Sequence, residues 1–478
     1  MSTFDSSFSN VEQLTRAFLA KGCSTLIVKV LAANQDNDKN QVYLGMDDSL
    51  LGMLPGKLEY SALPSSSQKK RHSAPGIGIE TLHIDFRWLW PDGRDAHAPH
   101  AKLIYYFQYP ELRFSGFLRG CPRGPSALRR NYQDDYGHRA LIMGVNESTV
   151  YGTVVTDRDS PALLSYLSSL PHLDAMSHGV LRTLSTNPDH SGTNLEQLIT
   201  ELGRCSERWW PAQYLANVEE GPVLAGNQQA SGWTLESLLG IPRNSIAGPD
   251  KLGFEIKALA SHGPLSITTT EPDFGYRKDH TLTEFLTRFG WPGMRNDGSL
   301  RFNGRHDTKR VYAKSEAKVF IENWSIDTNG PDGQGEPRVV LLHVPTGEVM
   351  AGWSFDVLAN KWAKKHSGCI YVEYERFPGG RLHGEHPSHY LYGPWAYCGI
   401  GTSINRLIGM LAKGLVYLDP GDRVLADGNA KKRMQWRMSG SQRDPLSEQL
   451  SHLYAEWRPV RIGNNHDEIS STPPILRA

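Results

Sequence analysis

The chain has 478 residues, 39% of them hydrophobic and 21% charged, a length and composition that suit a soluble globular protein of two domains and exclude a disordered or membrane-embedded one. Its 51 basic and 51 acidic residues cancel, so overall charge gives no argument for a polyanionic partner and any nucleic-acid surface must be local. Five widely spaced cysteines, odd in number and without a CxxC pair, argue against a disulfide framework or a zinc site and fit a reducing cytoplasm.

The first stretch, MSTFDSSFSNVEQLTRAFLAKG, lacks the basic and apolar regions of an export signal, and a cytoplasmic location is expected. From Cys23 to about Asp159 the runs STLIVKVLAA, QVYLGM, ETLHIDFRWLW, AKLIYYFQY, RALIMGV and STVYGTVVT alternate with turn formers. That spacing predicts a small all-β barrel. A helix is predicted at PALLSYLSSLPHL, and STNPDHSGT, from Ser185 to Thr193, reads as the linker. The next unit opens on the helix NLEQLITELGRC, with Leu195, Leu198, Ile199 and Leu202 at helical spacing. Beyond it helices (TLESLLG, SFDVLANKWAKK, SINRLIGMLAKGL) mix with strands (GFEIKAL, PLSITTT, RVVLLHV, GCIYVEYERF), which predicts an α/β or α+β domain. The aromatic clusters RWLW and RWWP read as packing residues. His383, His386 and His389 lack Cys or acidic partners at ligand spacing and read as part of a polar loop, not a zinc site.

One strand breaks the apolar rule. In GPDKLGFEIKALA, Glu255 and Lys257 share a face while Phe254, Ile256 and Ala258 take the other. Asp250 sits where a turn brings its carboxylate toward Glu255, and two hard oxygen ligands converging on one point make a Mg²⁺ site. A metal that neutralises a scissile phosphate, with a nearby cation to position water, is what phosphodiester hydrolysis needs. The competing reading is an edge strand with an exposed Glu–Lys pair. Upstream, the helix GWTLESLLGIP carries Glu236 at the edge of its Leu235, Leu238 and Leu239 stripe, as a third carboxylate or as an exposed helix residue.

GWTLESLLGI, PDKLGFEIKA and LSITTTEP, followed in order by AGWSFDVLANKWAKKHSGCIYVEYER and INRLIGMLAKGLVYLDPGDRV, resemble the catalytic core of the MvaI/BcnI family of type II restriction endonucleases, which are PD-(D/E)xK nucleases. The resemblance implies that Asp250 and Glu255 bind the metal, that Lys257 acts on the attacking water and that Glu236 supports them. It also implies base reading from LDPGDRVLADGNAKKRMQWRM, where Asp422, Arg423, Lys432, Arg433 and Arg437 have suitable chemistry; phosphate contacts are the alternative.

The N-terminal runs IVKVLAAN, QVYLG, AKLIYYFQYPELRFSGFLRG and HRALIMGV resemble the EcoRII-type effector DNA-binding domain, a B3-like pseudobarrel. The resemblance places Lys29, Arg113 and Arg119 at DNA contacts, with Arg123, Arg129 and Arg130 extending a phosphate-binding cluster. The expected layout is an effector domain over 1–170, a linker over 171–192 and a MutH-like catalytic domain over 193–478. The implied protein is a monomeric type IIE endonuclease, Mg²⁺-dependent, cutting double-stranded DNA at a CCWGG/CCNGG-like site while a second DNA copy occupies the effector domain. A MutH-like nickase and a non-cleaving DNA-binding regulator are the alternatives.

Overall fold

The structure, a computed structural model, describes residues 7–31, 41–61, 78–129, 137–170, 180–186, 194–225, 230–243, 249–260, 263–293, 298–366, 368–378, 387–441 and 444–463. Most of its regular structure is β, distributed over several separate sheets. The chain divides into two compact units, Met1–Ser191 with Asn323–Pro337, and Gly192–Glu322 with Arg338–Ala478. Among the described residues no helix is long and apolar enough to cross a membrane.

The first unit has a six-stranded sheet in the order Leu181–Ser185, Thr25–Leu31, Arg139–Val145, Thr149–Thr156, Asp85–Leu89 and Asp95–His97, and a five-stranded sheet that runs from Gln41–Gly45 to Lys57–Ser61. The stretch predicted as all-β is interrupted by the short helix Ser49–Met53 and flanked by two longer helices, of which the second falls where a helix is predicted. Helix Val11–Leu19, capped by Asn10 accepting from the Gln13 amide, and helix Pro161–Ser169 pack on the larger sheet. Phe8, Leu14, Phe18, Leu163 and Leu167 meet Leu26, Val28, Ile142 and Val155 in one apolar cluster. The run ETLHIDFRWLW is two strands: Ile79–His83 lies in the five-stranded sheet and Asp85–Leu89 in the six-stranded one.

Part of the stretch read as linker belongs to the fold, because Leu181–Ser185 pairs antiparallel with Thr25–Leu31. Residues 171–179 and 187–193 of that stretch lie outside the described residues.

In the second unit the central sheet runs Trp209–Pro211, His389–Ile400, Gly368–Phe377 and Glu255–Ala260, with Glu456–Arg461 also paired to His389–Ile400. The Glu255–Ala260 strand is at the edge and runs parallel to Gly368–Phe377. The two are linked through helix Phe355–His366, the crossover that parallel pairing requires. Helices Asn194–Cys205 and Ser231–Leu238 cover this sheet through Leu198, Leu202, Leu235 and Leu239, which pack with Ile256, Ile370 and Val372. A second sheet joins Pro264–Thr269, Met434–Ser439, Tyr417–Val424 and Leu300–Asn303 in that order. His389, read as part of a polar loop, begins a long strand and is 7% exposed; His383 and His386 lie outside the described residues.

Candidate active site

The turn before the charged strand sets the geometry. Lys251 and Phe254 exchange backbone hydrogen bonds across Leu252 and Gly253, whose φ values are +51° and +84°. Two successive left-handed residues make the tight hairpin turn that reverses the chain within one step. Leu252 adopts a conformation that costs a bulky residue energy, and its surroundings fix it there. Its carbonyl accepts from Asn194, and Lys251 beside it reaches Glu201 at 2.6 Å and the Leu239 carbonyl at 2.7 Å. With the turn anchored to both helices, Asp250 folds back on the strand and its Oδ2 accepts from the Ile256 amide at 2.8 Å.

Glu255 is 4% exposed, which removes the surface ion pair as a reading of this strand even though the strand is at a sheet edge. Its Oε1 accepts from Lys257 Nζ at 2.9 Å, and Lys365 Nζ lies 3.4 Å and 3.3 Å from its two oxygens. Burial pushes the Glu255 carboxyl up, but Lys257 and the other cations outweigh it and hold it below the usual range. Burial likewise pulls the Lys257 ammonium down, and the Glu255 carboxylate more than offsets this. At neutral pH the pair is therefore an ammonium and a carboxylate.

Glu236 and Asp250 complete the acidic group. Burial, then the Asp250 and Glu255 charges, push the Glu236 carboxyl up to about 7. Burial and Glu255 also raise Asp250, opposed by the Ile256 amide. Glu236 and Asp250 thus carry unrelieved negative charge from neighbouring carboxylates, the kind of charge that a divalent cation would relieve. Among the described residues no three His, Cys, Asp or Glu side chains form a ready metal cage. Asp250 and Glu255 offer the hard oxygen donors that a small divalent cation would need, with its remaining ligands to come from outside the chain.

The hairpin residues fall into two groups. Asp422 is committed within the fold: its side chain is fully buried, Oδ2 accepts from Arg277 Nε at 2.7 Å and Oδ1 from the Arg433 amide at 2.7 Å. Both oxygens are spent on holding strands together, so the base-reading expectation for Asp422 is corrected. Arg437 is partly committed as well, to Asp419 at 2.6 Å and Ser266 at 3.0 Å. Arg423 and Lys432 are exposed, and Arg433 lies against Gly421 at the wall of a cavity of about 590 Å³.

In the first unit, Arg119, Arg123 and Arg129 are exposed on the turns after Glu111–Ser115. Lys29, whose ammonium burial pulls down, stands over the Tyr43 ring, and Arg113 is tied to Glu111 at 2.7 Å and Gln41 at 3.0 Å. Arg130 lies outside the described residues.

Sequence patterns do not single out Lys365, Arg277, Arg301 or Lys431. For Lys365 the signal is topological: it lies in the last turn of the helix whose following strand puts Cys369 opposite Glu255.

A profile of the MvaI/BcnI restriction endonuclease family matches residues 199–446, the span that holds every second-unit site residue named above. Solved structures similar to the chain include one described as restriction endonuclease MvaI in complex with cognate DNA substrate, at 15% identity and a TM-score of 0.42, covering 57% of this chain and 99% of that one. Another is restriction endonuclease MvaI in the absence of DNA, at 17% identity and a TM-score of 0.31, covering 56% and 98%. A comparison with curated protein sequences gives no match.

Proposed function

The chain belongs to the MvaI/BcnI restriction endonuclease family and is a site-specific endonuclease of double-stranded DNA, and from that premise we propose that it hydrolyses phosphodiester bonds with Mg²⁺, using Asp250, Glu255 and Lys257, at a CCWGG/CCNGG-like site. The observation that carries this reading is the buried Glu255 carboxylate, 2.9 Å from Lys257, with Asp250 folded onto the same strand.

Asp250 and Glu255 would hold the ion. Mg²⁺, when bound, supplies charge stabilisation at the scissile phosphate and a more acidic water. Lys257 keeps its proton and orients the attacking water or a phosphate oxygen through a charge-assisted hydrogen bond. Water oxygen adds to phosphorus, the P–O bond to the leaving deoxyribose oxygen breaks, the attacking water gives up a proton to solvent, and the leaving oxygen takes one up from solvent to become a hydroxyl. Glu236 supports the set from the helix. One such set per chain serves one phosphate at a time, so a monomer nicks the two strands in turn.

In the same proposal the first unit is a B3-like effector domain that takes a second DNA copy through Lys29, Arg113, Arg119 and Arg123, as in type IIE enzymes. The exposed Arg119 and Arg123 support this. Free, buried cysteines suit a cytoplasmic setting.

The test is supercoiled plasmid incubated with wild type and with Asp250→Ala, with and without Mg²⁺, followed by sequencing of fragment ends. Discrete Mg²⁺-dependent fragments lost in the variant support the proposal. Nicked circles without linear product favour a MutH-like nickase, and retardation on a gel without cleavage favours a regulator.

A further inference from the structure

The second sheet carries an electrostatic conflict. Arg301 is directly opposite Arg423 on the neighbouring strand, and Arg423 is directly opposite Lys431 on the next. Like charges in register across antiparallel strands repel. Among the described residues, none of the three has an ion-pair partner within 4.0 Å. Alternation along the strand explains why Arg301 and Arg423 project together, with their buried neighbours Phe302 and Asp422 lying between them and the core.

All three cations line the cavity of about 590 Å³, together with Asn303, Tyr312 and Arg433. Two acids on its wall could offset them, but each already has a cation, Asp419 with Arg437 at 2.6 Å and Asp422 with Arg277 at 2.7 Å. Arg433 adds to the imbalance. Its guanidinium lies over Gly421, where an added Cβ would fall 2.4 Å from Nε, and that Nε is buried without a hydrogen-bond partner.

From this arrangement we infer that the cavity seats backbone phosphates of the bound DNA, with Arg301, Arg423 and Lys431 as the row that neutralises them. Strands about 4.8 Å apart spread the row over roughly 10 Å, on the scale of two successive phosphates of one DNA strand. Arg423 is then a residue that positions the backbone and carries no sequence information. The inference rests on the reading of the chain as a DNA endonuclease and adds Arg301 and Lys431, which that reading does not contain.

Binding of two labelled duplexes of equal length and composition, one carrying CCAGG and one scrambled, is measured by anisotropy without divalent metal across a salt series. Arg301→Ala, Arg423→Ala and Lys431→Ala are each expected to weaken both duplexes by the same several-fold factor and to make the salt slope shallower by about one. Arg423→Lys should restore most of the slope. In the absence of DNA, Arg301→Ala should melt at or above the wild-type temperature, because it relieves the repulsion, and this also shows that the variant folds.

A loss confined to the CCAGG duplex with an unchanged slope would make these residues base readers and overturn the inference. Unchanged binding of both duplexes would overturn it too. If wild type binds both duplexes equally, the proposed target is wrong while the phosphate row is still tested by the slope.

Discussion

Lys365 Nζ lies 3.3 Å from Glu255 Oε2 and 3.4 Å from its Oε1, the oxygen that also accepts from Lys257 at 2.9 Å. The proposed metal ligand is thus paired with two cations, one from its own strand and one from the crossover helix. Lys365 offsets charge that a divalent ion would otherwise offset. Removing it with Lys365→Met should tighten Ca²⁺ binding by roughly three- to tenfold, the equivalent of about 1 kcal/mol for a part-exposed pair. Calorimetric titration of Ca²⁺ in the absence of DNA measures this, and an affinity that stays the same or falls would remove Lys365 from the site.

Arg277 and Asp422 form a buried pair, their side chains 4% and 0% exposed. Breaking such a pair by truncating one partner costs about 3–5 kcal/mol, because the other charge is left buried alone. Asp422→Ala should therefore lower the urea midpoint of the second unit sharply. The double variant Arg277→Met with Asp422→Leu should recover much of the loss. If Asp422→Ala keeps full stability and loses only target discrimination, the carboxylate reads DNA after all.

Glu236 predicts a stability that falls with rising pH. Its folded carboxyl titrates near 7 and the unfolded one near 4.5, so the folded state keeps a proton that the unfolded state has released. The penalty is absent below 4.5, grows through the interval and is complete above 7. Glu236→Gln should match wild type at pH 4 and exceed it by about 2–3 kcal/mol at pH 8. Denaturant titrations without metal at the two pH values check this, and equal stability at pH 8 would refute it.

His306 works in the other direction. Its ring is 0% exposed, lies 2.8 Å from Ser315 Oγ and 2.9 Å from the Gly304 carbonyl, and burial lowers it from 6.5 to about 4. Here the unfolded state binds the proton first, so stability is lost as pH falls from 6.5 toward 4, by about 3 kcal/mol. His306→Gln should unfold with a visibly shallower pH dependence over that window. The buried His366, lowered to about 3, adds a loss of the same sign and remains in the variant.

The proposed catalytic strand is legible in the sequence because chemistry puts Glu255 and Lys257 where packing asks for apolar residues, and the Asp250 spacing is local. Lys365 is not legible, since it is 110 residues from Glu255 and reaches it only through a parallel strand pairing. Asp422 misleads for the same reason: a charge in a hairpin reads as surface, and its partner Arg277 is 145 residues away. The Val11–Leu19 helix is short, and its Leu14 and Phe18 spacing is easily passed over before a β-rich region. Nothing in ETLHIDFRWLW marks the point at which the chain leaves one sheet for the other.

Asn323–Pro337 is grouped with Met1–Ser191, although the strands on either side of it, Ala317–Glu322 and Arg338–His343, pair with each other in the other unit. The polypeptide therefore passes from one unit to the other three times. Joining two ready-made genes end to end would produce only the first passage; the other two need an insertion between paired strands. Deleting Met1–Ser191 would therefore leave Asn323–Pro337 without the residues it is grouped with, so a clean cut of the chain at 191/192 does not separate the two units.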